Sequence, residues 1–338
     1  MKRISLKGSG HRMPVEALAE TGPQRPWSAF LFFLFTLQVS LLAAPSGSLS
    51  HEALFGPNKS FDYFAKNSEL VTESPRLFSA ANASMLAQSS MLAYVTEQDF
   101  ITETFAEIGY DSTEFFDREG TFAYLAEDER NIIVSFRGTE SADRIDYLTD
   151  ARFIQKDFTI HGKAHSGFIL ALSKVESQIL YSIKKRTSDA PDKKVWLTGH
   201  SMGAALATLF AIKYPEEVDA VYAIGSPRTV NKALAQHWHE RLPLFRIVNN
   251  NDLVTRVPSP PFYQHIGPTY FLTSEGQLII DPPKSRKWKD RLKGHGQFAR
   301  RLIEEHWAQA DFSAIPSDYF VDHSPLFYVE ALQALALE

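Results

Sequence analysis

The sequence predicts an α/β fold, in which a mostly parallel central sheet carries helices on both faces. Three short β-rich runs support it, "KKVWLTG", "AVYAIGSP" and "LFRIVNNND", and helical stretches such as residues 167–185 alternate with them. Alternation of this kind favours parallel pairing, because a helix returns the chain to the edge where the next strand begins. The stretch "VWLTGHSMGAALATLF" adds a serine between two glycines at the junction of a strand and a helix.

The composition is that of a globular protein. The chain has 338 residues, of which 44% are hydrophobic and 22% charged, unlike a disordered or fibrous chain. The formal net charge of −5 provides no overall basic field, so we expect no nucleic-acid partner. The absence of cysteine excludes disulfides, thiolate metal sites and a catalytic thiol.

The first fifty residues differ from the rest of the chain. No Asp, Glu, Lys or Arg occurs in residues 26–50, and five cations precede them, namely Lys2, Arg3, Lys7, Arg12 and Arg25. The apolar part, 29–44, is intermediate in length between a signal-peptide core and a spanning helix, and the small residues of "APSGSLS" follow it. We expect residues 1–48 to be a cleaved export signal or a retained membrane anchor, with a buried core helix as the third alternative. Either of the first two places a single domain, residues 49–338, outside the cytoplasm.

The segments before the glycine-flanked serine predict a helix and then strands. In "SPRLFSAANASMLAQSSMLAYV", Leu77, Ala81 and Met85 have helical spacing, which indicates a helix packed on the sheet. In "EFFDREGTFAYLAEDERNIIVSFRG", the polar clusters "DREG" and "EDER" separate apolar stretches, as turns separate strands. Further along, residues 284–301 are locally basic, which is typical either of a solvated helical face or of a membrane-surface segment.

Ser201 is the candidate nucleophile. "KVWLT" predicts a buried strand and "AALATLFAIKY" a helix that ends at Pro215, so Ser201 occupies a strand-to-helix turn. In such a turn, Gly199 and Gly203 relieve steric clashes, and the N-terminus of the helix offers unpaired N–H groups. The alternative is a glycine-rich packing turn in which the serine has no role.

A serine nucleophile requires a histidine base and a carboxylate that orients the histidine. On this kind of sheet the acid follows the serine in the chain. Asp252 comes directly after the strand-like "LFRIVNN", at the carboxyl end of a strand, where parallel sheets gather functional groups. Asp281, in "IIDPP", is the alternative acid.

Four histidines follow Asp252, and we expect His323 to be the base. His323, in "VDHSPLFYVEAL", lies on a predicted loop before the last helical run. His265 lies in the apolar pattern "PFYQHIGPTYFL", which is typical of a hydrogen-bonded core histidine. His295 and His306 are the other two.

We expect neither a metal nor an organic cofactor. His237 and His239, in "HWHE", suggest a metal-binding pair, but residues two apart do not share a helix face. Acyl transfer through a serine, a histidine and a carboxylate needs no metal.

Taken together, the motifs resemble the class 3, or fungal-type, lipases of the α/β-hydrolase superfamily. From about residue 78 onward they follow that family's order, as "IIVSFRGTES", "DYLTDA", "AHSGF", "LTGHSMGAALA", "GSPRTVN", "NNNDLVTRVP" and "DHS". The resemblance implies an α/β-hydrolase fold and a triad of Ser201, Asp252 and His323. It also implies an oxyanion hole made by Thr139 and the backbone N–H of Met202.

The departures from the family pattern affect packing and the lid region rather than the chemistry. Ala204 and Val230 replace usual glycines, Ala164 replaces a usual valine, and Tyr147 replaces a usual tryptophan.

In this family the segment after the oxyanion residue forms a lid. Here that segment, "ESADRIDYLTDARF", is rich in charge, and only Ile145, Tyr147 and Leu148 could contact lipid. We therefore expect an ester or lipid substrate and a membrane or lipid–water interface as the place of action, and triacylglycerol hydrolysis is the first expectation. The alternatives are an esterase for soluble short-chain or aromatic esters, a phospholipase, a peptidase, and a non-catalytic binding protein on the same scaffold.

Overall fold

The computed structural model describes residues 54–66, 68–139, 154–306 and 321–337, and of residues 299–306 the backbone alone. The predicted leader, residues 1–48, lies outside the described residues. So do Ile145, Tyr147 and Leu148 of the predicted lid.

The strands of the described residues form one large sheet and one hairpin. The large sheet contains β1 (Ser112–Arg118), β2 (Thr121–Glu127), β3 (Asn131–Phe136), β6 (Lys194–His200), β7 (Ala220–Ile224), β8 (Leu244–Asn249), β9 (Thr269–Leu272) and β10 (Leu278–Ile280). The hairpin consists of β4 (Gln155–Thr159) and β5 (Gly162–His165).

The helices before the serine turn are α1 (Ala80–Leu92), α2 (Gln98–Ala106), α3 (Ser166–Ser173) and α4 (Glu176–Asp189). After it come α5 (Met202–Lys213), α6 (Lys232–Trp238), α7 (Lys284–His306) and α8 (Pro325–Ala336). There are also two short 3-10 turns, Pro215–Glu217 and Val254–Arg256.

The large sheet has eight strands in the order β1-β2-β3-β6-β7-β8-β9-β10. The five central strands, β3 to β9 in that order, pair in parallel, while β1, β2 and β10 add antiparallel edges. Parallel strands covered on both faces are apolar throughout, and every residue of β7 and β8 is buried. The predicted mostly parallel α/β fold is confirmed.

Alternate residues of the central strands pack into two separate cores. In β7, Val221 and Ala223 join the core that also contains α3, α4 and α5. Their neighbour Tyr222 points the other way, into the core formed with α1, α2 and α8. This alternation follows from the two-residue period of a strand, and it puts helices on both faces, as predicted.

The first helix begins later than the apolar spacing suggests. Ser79 caps it, because its hydroxyl accepts a hydrogen bond from the backbone N–H of Asn82, 3.2 Å away. Leu77 therefore precedes the helix and is 67% exposed, so its predicted packing on the sheet is wrong.

Among the described residues, no helix combines the length and the apolar character that a membrane span requires.

Candidate active site

Ser201 lies in a strained turn between β6 and α5. Its φ of 58° and ψ of −124° are unfavourable for a residue with a side chain and cost of order 1–3 kcal/mol. The surrounding structure holds this conformation, because the N–H of Ser201 donates to the carbonyl of Ile224, 2.9 Å away in β7. The turn thereby fixes the serine at the carboxyl ends of two adjacent parallel strands.

Two glycines allow the turn to pack closely. A Cβ atom on Gly199 would lie 2.3 Å from the carbonyl carbon of Gly203, and one on Gly203 would lie 2.0 Å from the carbonyl oxygen of Phe136. Both distances are far below contact distance, so only glycine fits at either position. The predicted steric role of these glycines is confirmed.

Asp252 and His323 form a buried hydrogen-bonded pair. Nδ1 of His323 donates to Oδ2 of Asp252 at 2.8 Å, and both side chains are buried. The other oxygen, Oδ1, accepts the backbone N–H of Val254 at 2.8 Å. Because Nδ1 carries its proton toward the carboxylate, Nε2 is the nitrogen of the neutral ring that can accept a proton.

Tyr328, on α8, donates a further hydrogen bond to the acid. Its hydroxyl lies 2.6 Å from Oδ2 of Asp252 and accepts the backbone N–H of Asn249 at 2.9 Å. Burial, and then the negative charge of Asp252, hold the pKa of Tyr328 well above its usual value, so the hydroxyl keeps its proton. No local pattern in the sequence identifies this residue, because its hydroxyl is one of several polar groups on a mostly apolar helical run.

His200, directly before the serine, supports the backbone of His323. Its Nε2 donates to the carbonyl of His323 at 2.8 Å, and its Nδ1 forms a hydrogen bond with the hydroxyl of Tyr94 at 2.8 Å. The centroids of the His200 and His323 rings lie 4.5 Å apart. The sequence alone does not predict this role either, although His200 occupies the position before the serine in the G-x-S-x-G motif.

Gly225 lies between the serine turn and the pair of Asp252 and His323. It follows Ile224, which accepts the Ser201 hydrogen bond, and a Cβ on it would lie 3.1 Å from Oδ2 of Asp252 and 3.2 Å from Nδ1 of His323. Nε2 of His323 is buried and has no hydrogen-bond partner among the described residues. Leaving a buried nitrogen without a partner is unfavourable, and here the nitrogen is the one that can accept a proton.

Thr139 and Met202 contact each other across the serine turn. The Thr139 hydroxyl donates to Sδ of Met202 at 3.6 Å. Gly138 allows this approach of the loop after β3, because a Cβ there would lie 2.7 Å from the carbonyl oxygen of His200. The loop that carries Thr139 is thus held against the start of α5, the helix that begins with Met202.

The alternative acid, Asp281, lies at the opposite end of the sheet. Its Oδ1 accepts the backbone N–H of Thr269 at 2.7 Å, at the beginning of β9, where Thr269 pairs with Arg246 of β8. Asp252 follows the other end of β8. Asp281 therefore has a structural role at the start of a strand.

His265 is a hydrogen-bonded structural histidine, as the sequence predicts. Its Nε2 donates to the carbonyl of Thr255 at 2.7 Å. Burial, followed by the charges of Arg246 and Arg228, holds its pKa well below the usual value. His295 is partly buried on α7, and the side chain of His306 is not described.

His237, the first histidine of "HWHE", contacts residues outside that motif. The ring of His237 stacks on His161, with centroids 3.5 Å apart, and contacts Nη1 of Arg241 at 3.0 Å. Within the described ranges, no group of three or more His, Cys, Asp or Glu side chains is arranged to hold a metal ion.

A mostly parallel sheet with a serine turn after one strand, an Asp after another and a His hydrogen-bonded to that Asp is the architecture of the α/β hydrolases. Residues 133–262 match the family model described as lipase (class 3). The resemblance seen in the motifs is confirmed: this central part of the chain matches the class 3 lipase family.

Two curated relatives agree with this assignment. The secreted mono- and diacylglycerol lipase A of Penicillium cyclopium is 30% identical over 190 residues, which are 53% of this chain and 61% of that protein. A lipase of Rhizomucor miehei is 27% identical over 196 residues, 55% of this chain and 52% of the relative. The chain thus spans between half and two thirds of the length of these two relatives.

A solved structure supports the fold. The mono- and diacylglycerol lipase from Aspergillus oryzae superposes with a TM-score of 0.53 at 24% sequence identity, covering 61% of this chain and 87% of the other.

Proposed function

We propose that the protein is a serine carboxylic-ester hydrolase that cleaves acylglycerols through an acyl-enzyme on Ser201. The observation that carries the proposal is the buried pair of Asp252 and His323, with an unbonded Nε2, packed around Gly225 beside the serine turn. The class 3 lipase match over residues 133–262 supports the same chemistry.

In the proposed reaction, Nε2 of His323 takes the proton of Ser201 as its Oγ attacks the ester carbonyl. Asp252 holds the ring in the correct tautomer and stabilises the imidazolium that forms. The proton then passes to the leaving alcohol, and a water molecule, activated by the same nitrogen, hydrolyses the acyl-enzyme. The imidazolium of His323 is stabilised by the Asp252 carboxylate, which also accepts hydrogen bonds from the backbone N–H of Val254 and the hydroxyl of Tyr328.

The negative charge that develops on the carbonyl oxygen requires donors already in position. We assign these to Thr139 and to the backbone N–H of Met202, at the unpaired N-terminus of α5. The contact between the Thr139 hydroxyl and the Met202 sulfur supports this assignment, because it places the loop of Thr139 beside the start of α5. Losing one such donor typically costs about 3 kcal/mol of transition-state stabilisation.

The substrate class is proposed from the relatives. The Penicillium cyclopium relative is named a mono- and diacylglycerol lipase, so we propose glycerol esters as the preferred substrates. Short-chain or aromatic soluble esters and phospholipids are the alternatives, since the same triad would cleave them. A hydrolysis panel of triglycerides, diglycerides, phospholipids, p-nitrophenyl esters and a peptide amide discriminates among them.

A fluorophosphonate probe tests the nucleophile directly. The adduct should map to Ser201 by mass spectrometry, and Ser201→Ala should abolish both labelling and hydrolysis while the protein stays folded. Labelling at a different serine, or full activity of the alanine variant, contradicts the assignment.

Residues 1–48 are proposed to direct the catalytic domain, residues 49–338, out of the cytoplasm. Several relatives are named secreted lipases, which supports an extracytoplasmic location. N-terminal sequencing of exported protein should find a start between residues 44 and 51. Full-length protein that stays in membranes after a high-salt wash would instead identify a retained anchor.

A further inference from the structure

The first part of α7 presents a basic, partly apolar face to solvent. We call this the α7 outer face, and its exposed residues are Lys284, Ser285, Arg286, Trp288, Lys289, Leu292 and Lys293. Trp288 is 63% exposed and Leu292 is 51% exposed. These two residues are four apart and therefore adjacent on the helix surface, with lysines on both sides.

The opposite side of α7 is fixed against the loop that carries Asp252. Nε of Arg291 donates to the carbonyl of Asn250 at 3.0 Å, and Nδ2 of Asn251 donates to the carbonyl of Arg291 at 3.1 Å. Gly294 allows the contact, because a Cβ there would lie 1.9 Å from Nδ2 of Asn250. The helix cannot rotate without breaking these contacts, so Trp288 stays at the surface.

Charge is concentrated on this helix. Residues 284–293 contain six Lys or Arg and one acid, a net +5, although the whole chain carries −5. The acid, Asp290, points inward and accepts the backbone N–H of Ser274 at 3.0 Å. Glu275 pairs with Lys293. Lys284, Arg286 and Lys289 form no ion pair with any described residue.

A tryptophan at this degree of exposure is unusual on a merely solvated helix, but it suits a membrane interface. Indole rings are enriched at the headgroup level of bilayers, and nearby cations are attracted to anionic headgroups. We propose that the α7 outer face docks the protein on an anionic lipid bilayer, with Trp288 and Leu292 inserted at the headgroup boundary and the cations facing lipid phosphates.

Docking on this face places α7 between the bilayer and the loop of Asp252. The inference deepens the proposed function, since it supplies the lipid surface from which a glyceride substrate would come. The binding step itself does not depend on hydrolysis. The Ser201→Ala variant should therefore bind vesicles as the wild type does.

Vesicle co-sedimentation of the full chain tests the proposal. The measured quantity is the ratio of partition coefficients for phosphatidylcholine–phosphatidylglycerol vesicles and for pure phosphatidylcholine vesicles. One cation near an anionic surface raises the partition coefficient about fivefold. The triple variant Lys284→Glu, Arg286→Glu, Lys289→Glu should therefore lower this ratio at least tenfold. Roughly 1 M salt, where the Debye length is about 3 Å, should lower the wild-type ratio toward one.

The matched control is a second surface helix, α4, which also carries an exposed aromatic residue and lysines. Tyr181→Ala with Lys185→Glu should leave the ratio unchanged. Comparison between variants removes any binding due to residues 1–48, because all of them share that segment.

A second measurement locates the inserted side chain. Brominated lipid should quench part of the tryptophan fluorescence of the wild type, and Trp288→Phe should abolish that part. The proposal is overturned if the triple variant keeps the wild-type ratio, or if Trp288→Phe leaves quenching unchanged. Hydrolysis of soluble p-nitrophenyl butyrate by the triple variant should equal that of the wild type, so a failure of docking is distinguishable from a failure of the proposed catalysis.

Discussion

The hydroxyl of Tyr328 and Nδ1 of His323 donate to the same oxygen, Oδ2 of Asp252, at 2.6 and 2.8 Å. Tyr328 lies on α8, five residues after His323, so the helix that follows the histidine loop also holds the acid. Asn249, at the end of β8, completes the arrangement through its backbone N–H. The orientation of the carboxylate thus depends on the packing of α8 against β8.

Removing this hydroxyl should slow turnover. We expect Tyr328→Phe to lower kcat roughly tenfold with little change in KM, because the carboxylate loses a donor that fixes its orientation. Stability should fall by about 1.5–3 kcal/mol, as for hydrogen bonds to charged groups. The control is Tyr124→Phe, which removes a buried hydroxyl that donates to the carbonyl of Ser89 at 2.7 Å, away from the site. It should lower stability without changing kcat. Equal kcat values in both variants would argue against a positioning role.

Four substitutions test which histidine is the base and which aspartate is the acid. His323→Ala and Asp252→Asn should each lose several orders of magnitude in kcat while remaining folded. His265→Ala and Asp281→Asn should stay active and lose stability, since they remove structural hydrogen bonds. The measurements are ester hydrolysis and urea unfolding of all four variants. An active His323→Ala variant beside a folded, inactive His265→Ala variant would exchange the two roles.

A methyl group on Gly225 should disturb the acid–base pair. Gly225 has a φ of 59°, and an added Cβ would crowd both Oδ2 of Asp252 and the ring of His323. Gly120→Ala is the matched control, because its φ of 80° imposes similar strain with no atom within 4 Å of the added Cβ. Both variants should lose about 1 kcal/mol of stability from backbone strain, but only Gly225→Ala should lose activity. Equal activity of the two would mean that the pair tolerates the crowding.

His165 should make stability depend on pH. Burial lowers its pKa from 6.5 to about 4, and its Nδ1 must stay unprotonated to accept the N–H of Gly167 at 3.2 Å. Between these two pKa values the unfolded chain binds more protons than the folded one, so stability falls as the pH falls from about 6.5 toward 4. Acidification from about pH 7.5 to about pH 5 should cost the wild type about 2 kcal/mol more than His165→Gln. Urea unfolding at both pH values measures this, and parallel losses would contradict it.

We expect weak interfacial activation, a prediction that depends on residues 140–152, outside the described structure. Ile145, Tyr147 and Leu148 would gain roughly 1.5–3 kcal/mol each on full burial, while the neighbouring carboxylates resist desolvation. Appreciable hydrolysis of tributyrin should therefore occur below its solubility limit. A rate curve taken through saturation tests this. A negligible rate below the limit, followed by a sharp jump, would show that other apolar loops form the interfacial surface.

Local patterns in the sequence were sufficient for the fold class and for the serine turn. The alternation of apolar runs with helical stretches predicts a parallel sheet. The spacing of apolar residues that distinguishes strands from helices, and the helix that links two parallel strands, can both be recognised in short segments of the chain. The requirement for Gly199 and Gly203 is equally local, since it arises from the backbone of a single turn. The order of serine, acid and histidine along the chain narrowed the site to a few candidates.

The tertiary structure alone decided which of these side chains meet and what supports them. Tyr328 lies 76 residues from Asp252, and Tyr94 lies 106 residues from His200, so no local pattern pairs them. The exposure of Trp288 is also set by tertiary structure, because it follows from the packing of the other side of α7 on the loop that carries Asp252. Contacts of this kind depend on how helices and strands pack together, and the free energy of that packing is shared by residues far apart in the chain.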